Sequence, residues 1–182
     1  MNSALALHIA FAAVALAAGP WQLSTRLRAT SLGRHHWMGR AYVAGVFVGG
    51  AAALLLATQA RGGFPARSGF AMLAVLWIAS TLIGFVRVLE RDRAAHRIWM
   101  IRSYALTLAA ITLRIYLPVS QALGMPFEPA YQAIAWLCWV PNIVCVEWGR
   151  FAERGSSTSS FAPHRGQSSP AIGKPSGRRY SG

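Results

Sequence analysis

Two stretches of the chain hold the side chains best suited to chemistry, and they look alike. One reads His35-His36-Trp37-Met38-Gly39-Arg40-Ala41-Tyr42, the other His96-Arg97-Ile98-Trp99-Met100-Ile101-Arg102-Ser103-Tyr104. Both contain Trp-Met-x-Arg-x-Tyr with histidine just upstream. Neutral imidazole is a common ligand for metals and haem iron. Arginine holds carboxylates and phosphates by forked hydrogen bonds, and Trp and Tyr rings offer flat walls to a ring-shaped ligand. The pattern therefore suggests haem b binding, with His35 and His96 as axial metal ligands and Arg40 and Arg102 on the propionates; His36 is the alternative to His35. The same residue types also anchor helices at a membrane surface without doing chemistry, and the repeat is compatible with a duplicated helix pair.

Three further residues bear on this choice. His8 sits inside an apolar run, where polar groups are expensive and often functional; it reads as a haem ligand or proton relay, or as a hydrogen bond to a neighbouring helix. A four-histidine, two-haem plan has little support, because the remaining histidine, His164, falls in the polar tail. Glu147, with Asn142 above it, either pairs with a nearby arginine or carries protons. Arg114 lies about 24 Å along its helix at 1.5 Å per residue, a place from which its side chain snorkels to the interface. Gly-rich phosphate loops, nucleophile elbows, Cys-x-x-Cys pairs and His-Glu-x-x-His are all absent from the sequence.

The elements that must position these residues are five apolar runs, at about 5–23, 41–58, 69–89, 98–118 and 131–149. Each has the length a helix needs to cross about 30 Å of hydrocarbon, and an open-ended spanning segment must be helical because lipid leaves no partner for free backbone groups. The expectation is an all-α, polytopic transmembrane bundle over residues 1–150. Composition agrees: the chain is 54% hydrophobic and 13% charged, against about a quarter charged in soluble domains. A net charge of +13 would suit nucleic acid only on a soluble basic face. Here the charges sit between apolar runs and in the tail, so no nucleic-acid partner is expected.

The first run could be a cleaved signal peptide, but Met1-Asn2-Ser3 lacks a positive start and Trp21 suits an interface belt, so a retained helix is expected. The arginines set the orientation. Fifteen basic residues fall on one side, including Arg26, Arg28, Arg34, Arg40, Arg87 and Arg91; Arg61, Arg67 and Arg114 fall on the other. The positive-inside rule then puts the N-terminus outside and the C-terminus in the cytoplasm, in a bacterial inner membrane. Residues 151–182 are rich in Ser, Gly, Pro and Arg and cannot bury a core; a disordered cytoplasmic tail is expected, with Arg165, Lys174, Arg178 and Arg179 free to touch anionic lipid heads. Cys138 and Cys145 lie seven apart on one run, too far to bridge, and read as buried core thiols. Pro20 and Pro141 are expected to kink their helices and open a small cavity.

With these marks in place, the chain resembles a known family. His35-x-Trp-Met-Gly-Arg-x-Tyr, the string from His96 to Thr107, Leu113-Arg114, and Trp136-x-x-Trp139-x-Pro141-Asn142 are similar to motifs of DUF2306, a family of bacterial membrane proteins. Residue 36 departs from it, with His where the motif carries a basic residue; the motif favours His35 as the working histidine. The resemblance, over about residues 5–150, implies a multi-helix integral membrane protein and brings no activity with it. Three readings follow. The first is a b-type cytochrome-like electron-transfer subunit with a redox partner. The second is a transport or accessory protein whose Arg/His belt contacts the bilayer and anionic lipid headgroups. The third is a membrane enzyme acting on lipids or quinones.

Overall fold

The polar residues that separate the apolar runs become caps and turns. The computed structural model describes residues 3–23 and 31–159. Among these are seven helices and no strand: α1 Ser3–Leu23, α2 Leu32–Thr58, α3 Gly63–Leu89, α4 Arg93–Thr107, α5 Ala109–Ala122, α6 Phe127–Leu137 and α7 Val140–Ser159. Ser31 and Asp92 open α2 and α4 in the same way. Each is an N-cap whose side chain accepts a backbone N–H three residues on, from Arg34 at 3.4 Å and from Ala95 at 2.9 Å, one of the bonds a helix start otherwise lacks. His35 and His96 then occupy equivalent places, each donating its backbone N–H to the cap carbonyl.

The helices make five segments long and apolar enough to cross a membrane, because α4 with α5, and α6 with α7, each form one interrupted span. The five expected runs are all present, but they reach further, to 33–58 and 93–122 for the second and fourth. Polar residues at a helix end extend it into the headgroup layer, and a hydropathy reading stops short of them. Short turns make the spans alternate in direction, so α2 and α4 start at the same end of the bundle, as the repeated motif suggests.

The interruptions have local causes. Pro141 has no N–H to give Leu137, four residues back, and the last span breaks at Cys138–Trp139. The break in the fourth span, at Leu108, faces it. The Thr112 hydroxyl donates to the Cys138 carbonyl, and Asn142 Nδ2 donates to Ala105 O at 3.2 Å and Cys138 O at 3.1 Å. Irregular backbone at membrane depth is tolerated where side chains satisfy it in this manner.

Small residues bring the helices together. A Cβ on Gly45 would lie 2.9 Å from Phe11 O and one on Gly49 3.3 Å from Ala12 N, so α1 rides directly on the α2 backbone; a glycine pair four apart is a familiar membrane packing device. Helix α2 packs on α3, α3 on α4 and α6, and α7 on α4. Tyr42, Val46, Trp77, Ile134, Cys138 and Trp139 form the centre of the core. Cys138 is buried as expected, whereas Cys145 is exposed on α7, because the break at 138–139 removes the continuous helical face that would have aligned the two. Helix α7 runs on to Ser159, past the boundary expected at residue 150. Arg26, Arg28, His164 and the tail residues Arg165, Lys174, Arg178 and Arg179 lie outside the described residues.

Candidate functional site

The repeated motif places like residues at one end of the bundle and gives them different work. His96 is half-buried, and its Nδ1 donates to the carbonyl of Gly84 on α3 at 2.6 Å. His35 and His36 lie side by side on α2, ring centroids 6.1 Å apart, with His36 exposed. Trp37 is 74% exposed, as an interface anchor would be, while Trp99 carries the Arg102 guanidinium on its face at 4.4 Å. Arg102 donates from Nε and Nη2 to the two carboxylate oxygens of Glu147, at 2.6 and 3.0 Å. Arg150 joins the same carboxylate at 3.2 Å. Arg40 is exposed.

This geometry departs from the arrangement expected for haem. Arg102, assigned to a propionate, is already held by a carboxylate on α7. Among the described residues no group of three or more His, Cys, Asp or Glu could hold a metal ion. The rings expected to form two walls of one site are dispersed: Tyr104 packs over Gly19 of α1, and Tyr42 turns into the core.

Tyr42 does join the second and fourth spans. Its hydroxyl lies 2.8 Å from Ser103 Oγ and 3.0 Å from Thr107 Oγ1 on α4. Thr81 of α3 bonds Ser103 Oγ at 2.6 Å and its own helix carbonyl at Trp77, and Trp77 Nε1 donates to Thr107 Oγ1 at 2.9 Å. Five side chains from three helices thus satisfy one another in the core. In a low-dielectric interior such a closed network rigidifies and specifies the packing.

Trp77 and Thr107 also line a cavity that extends toward the other end of the bundle, as far as Leu5, Ala60 and Leu117. Its volume is about 510 Å³ and its walls come from α1 to α6, with the Cys138 turn. The lining is mostly apolar. Alanines supply much of the room, Ala53 and Ala57 one turn apart on α2, Ala60 just past its end, and Ala109 and Ala110 on α5. The polar members are few: His8, Thr107, Arg114 and Tyr131 among them. His8 Nδ1 donates to Gly49 O on α2 at 2.9 Å. That is the helix-to-helix bond weighed for it from the sequence, and it leaves Nε2 as the second ring nitrogen. Sequence reading marked His8 and Arg114 singly and expected a small cavity beside Pro20 and Pro141, neither of which lines this one. The available signal was the spacing of the α2 alanines, which puts small side chains on one helical face.

Five apolar spans, charged clusters at the bundle ends and an internally bonded polar core define an integral membrane protein. More particularly, residues 5–148 match the family described as predicted membrane protein, DUF2306, and the chain belongs to that family. No curated protein and no solved structure matches it.

Proposed function

We propose that this protein is a non-enzymatic binding or accessory component of the bacterial inner membrane, which takes an apolar molecule from the bilayer into the cavity between α1 and α6. The cavity carries this reading. It is largely apolar, with a few polar groups converging on it, the usual composition of a small-molecule site, and it is walled by nearly every helix of the bundle. At about 30 Å³ for a unit the size of a water or a methylene, it has room for on the order of fifteen such units.

In this reading the N-terminus lies outside and the C-terminus in the cytoplasm. The asymmetry of basic residues supports this: Arg87, Arg91, Arg93, Arg97, Arg102 and Arg150 cluster at the His96 end, while Arg61, Arg67 and Arg114 belong to the other half. In that orientation the cavity lies in the outer half of the bundle, and the His96 end meets the anionic inner leaflet.

Photolabelling tests the reading. The protein in vesicles is exposed to a diazirine-bearing alkyl probe, and the labelled residues are mapped. Labels should concentrate on cavity residues of α2 and α5 and fall several-fold in Ala57→Phe. Equal labelling of outward residues such as Leu55 and Val75, unaffected by that substitution, would discard it.

A haem-binding electron-transfer role keeps one favourable observation. The bond from His96 Nδ1 to Gly84 O is the kind that fixes a ligating imidazole and presents Nε2. A reduced-minus-oxidised spectrum of protein expressed with ample haem decides it: a b-type spectrum lost in His96→Ala supports haem ligation by His96, and a colourless protein ends it.

A further inference from the structure

Arg114 is an exposed cation in the last third of the fourth span, and no acidic side chain among the described residues pairs with it. It lies eight residues before the end of α5, about 12 Å along the axis. Its Nη1 donates to Ala110 O at 2.8 Å, and none of the ion pairs among the described residues includes it. Contrast Arg102 and Arg150, at the other end, which share Glu147. Arginine stays charged in any protein setting, and a charge at this depth is costly unless an opposite charge or water meets it. No acidic side chain among the described residues supplies that charge, and Arg114 lines the cavity, where a ligand's oxygens can meet it.

His8 lines the same cavity, and its geometry sets what it can do there. A carbonyl oxygen only accepts, so the Nδ1 bonded to Gly49 O carries the hydrogen. In the neutral ring Nε2 then holds the lone pair and accepts a hydrogen bond. A site with one guanidinium donor and one imidazole acceptor suits an acid head, whose oxygens take the arginine's hydrogens and whose proton goes to the histidine. The remaining lining is mostly apolar, Thr107 and Tyr131 excepted, and the volume fits one hydrocarbon chain rather than the two of a phospholipid.

We propose that Arg114 and His8 read the head of a single-chain acid amphiphile, a long-chain carboxylic acid, whose tail occupies the alanine-lined cavity down to Trp77 and Thr107. This rests on the cavity being a ligand site, as argued above. The alternative source of the same oxyanion chemistry is a bulk phospholipid head reached by snorkelling.

The test is equilibrium binding of radiolabelled dodecanoic acid and dodecanol to the full chain in phosphatidylcholine nanodiscs. The wild type should bind the acid about tenfold or more tightly than the alcohol, the size of one charge-assisted hydrogen bond. Arg114→Gln should bring the acid down to the alcohol and leave the alcohol unchanged; Arg114→Lys, which keeps charge and fold, should retain part of the preference. His8→Phe should lower acid binding alone, and Ala57→Phe should lower both ligands. Equal binding of acid and alcohol, indifferent to Arg114→Gln, overturns the head assignment while the cavity reading stands. Binding of neither ligand overturns both. Acid binding that fails to saturate at one site, or that anionic phosphatidylglycerol in the disc abolishes, assigns the counter-ion to bulk lipid and overturns the proposal.

Discussion

Arg102 and Glu147 meet side by side, Nε to Oε1 at 2.6 Å and Nη2 to Oε2 at 3.0 Å, and so tie α4 to α7 at the His96 end. Trp99 stacks on the guanidinium from the same helix. The carboxylate is 43% exposed, so screening by water and headgroups limits the pair; exposed ion pairs are worth about 0–1 kcal/mol. The two-point geometry places this one toward the top of that range. A double-mutant cycle with Arg102→Ala and Glu147→Gln, read by unfolding in mixed micelles, should give a coupling of about 1 kcal/mol. Arg102→Lys should not restore it, because an ammonium cannot reproduce the fork. A coupling near zero would reduce the pair to a packing accident.

The two motif tyrosines should respond differently to loss of their hydroxyls. Tyr42 is 1% exposed and bonds Ser103 and Thr107. Tyr42→Phe leaves those hydroxyls short of a partner and should destabilise by about 1–2 kcal/mol. The Tyr104 ring covers Gly19, and none of the described hydrogen bonds uses its hydroxyl, so Tyr104→Phe should change unfolding by less than about 0.5 kcal/mol. Equal losses in the two variants would mean that the Tyr42 network adds no stability.

The approach of α1 to α2 predicts a contrast between two glycines of one helix. A Cβ on Gly45 meets the backbone oxygen of Phe11 at 2.9 Å, whereas a Cβ on Gly33 meets nothing within 4 Å. Gly45→Val should push α1 away and cost about 1–3 kcal/mol. Gly33→Ala should be neutral or stabilising by up to about 1 kcal/mol, since alanine favours helix. Thermal unfolding in detergent separates the two, and a Gly45→Val protein as stable as the parent would contradict the close packing.

The spans were legible in the sequence because lipid imposes a length and an apolar composition that few other structures share. The common entry end of α2 and α4 was legible too, since short connections force alternation. What the chemistry-bearing residues touch was not. His35 and His96 sit at equivalent positions after equivalent caps, yet His96 bonds a carbonyl of α3 while His35 lies against His36. A like capping pattern specifies the helix start, and the neighbouring helix decides the partner. Glu147 shows the same limit: its pairing with an inner arginine was one reading, but the choice of Arg102 depends on how α7 turns after the Pro141 break. The place of the cavity, away from Pro20 and Pro141, was not legible because a void is set by what several helices fail to fill.

Two helix ends built alike should respond oppositely to substitution. At the end of α3, Asp92 N–H donates to Arg87 O and Arg91 N–H to Val88 O. At the end of α5, Met125 N–H donates to Ser120 O and Gly124 N–H to Gln121 O. Both are Schellman closures that need a left-handed residue. Gly124 provides it at φ 71°, while Arg91 adopts φ 64° with a side chain in place. The left-handed conformation costs a non-glycine residue roughly 1–2 kcal/mol. Arg91→Gly removes that strain but frees the unfolded chain, leaving a net gain of about 0.5 kcal/mol. Gly124→Ala introduces the strain, with open space around the new methyl, and should lose about 1 kcal/mol. Because no contact changes at either site, the opposite signs isolate backbone conformation as the cause. Equal signs in mixed-micelle unfolding would show that the two turns do not share this geometry.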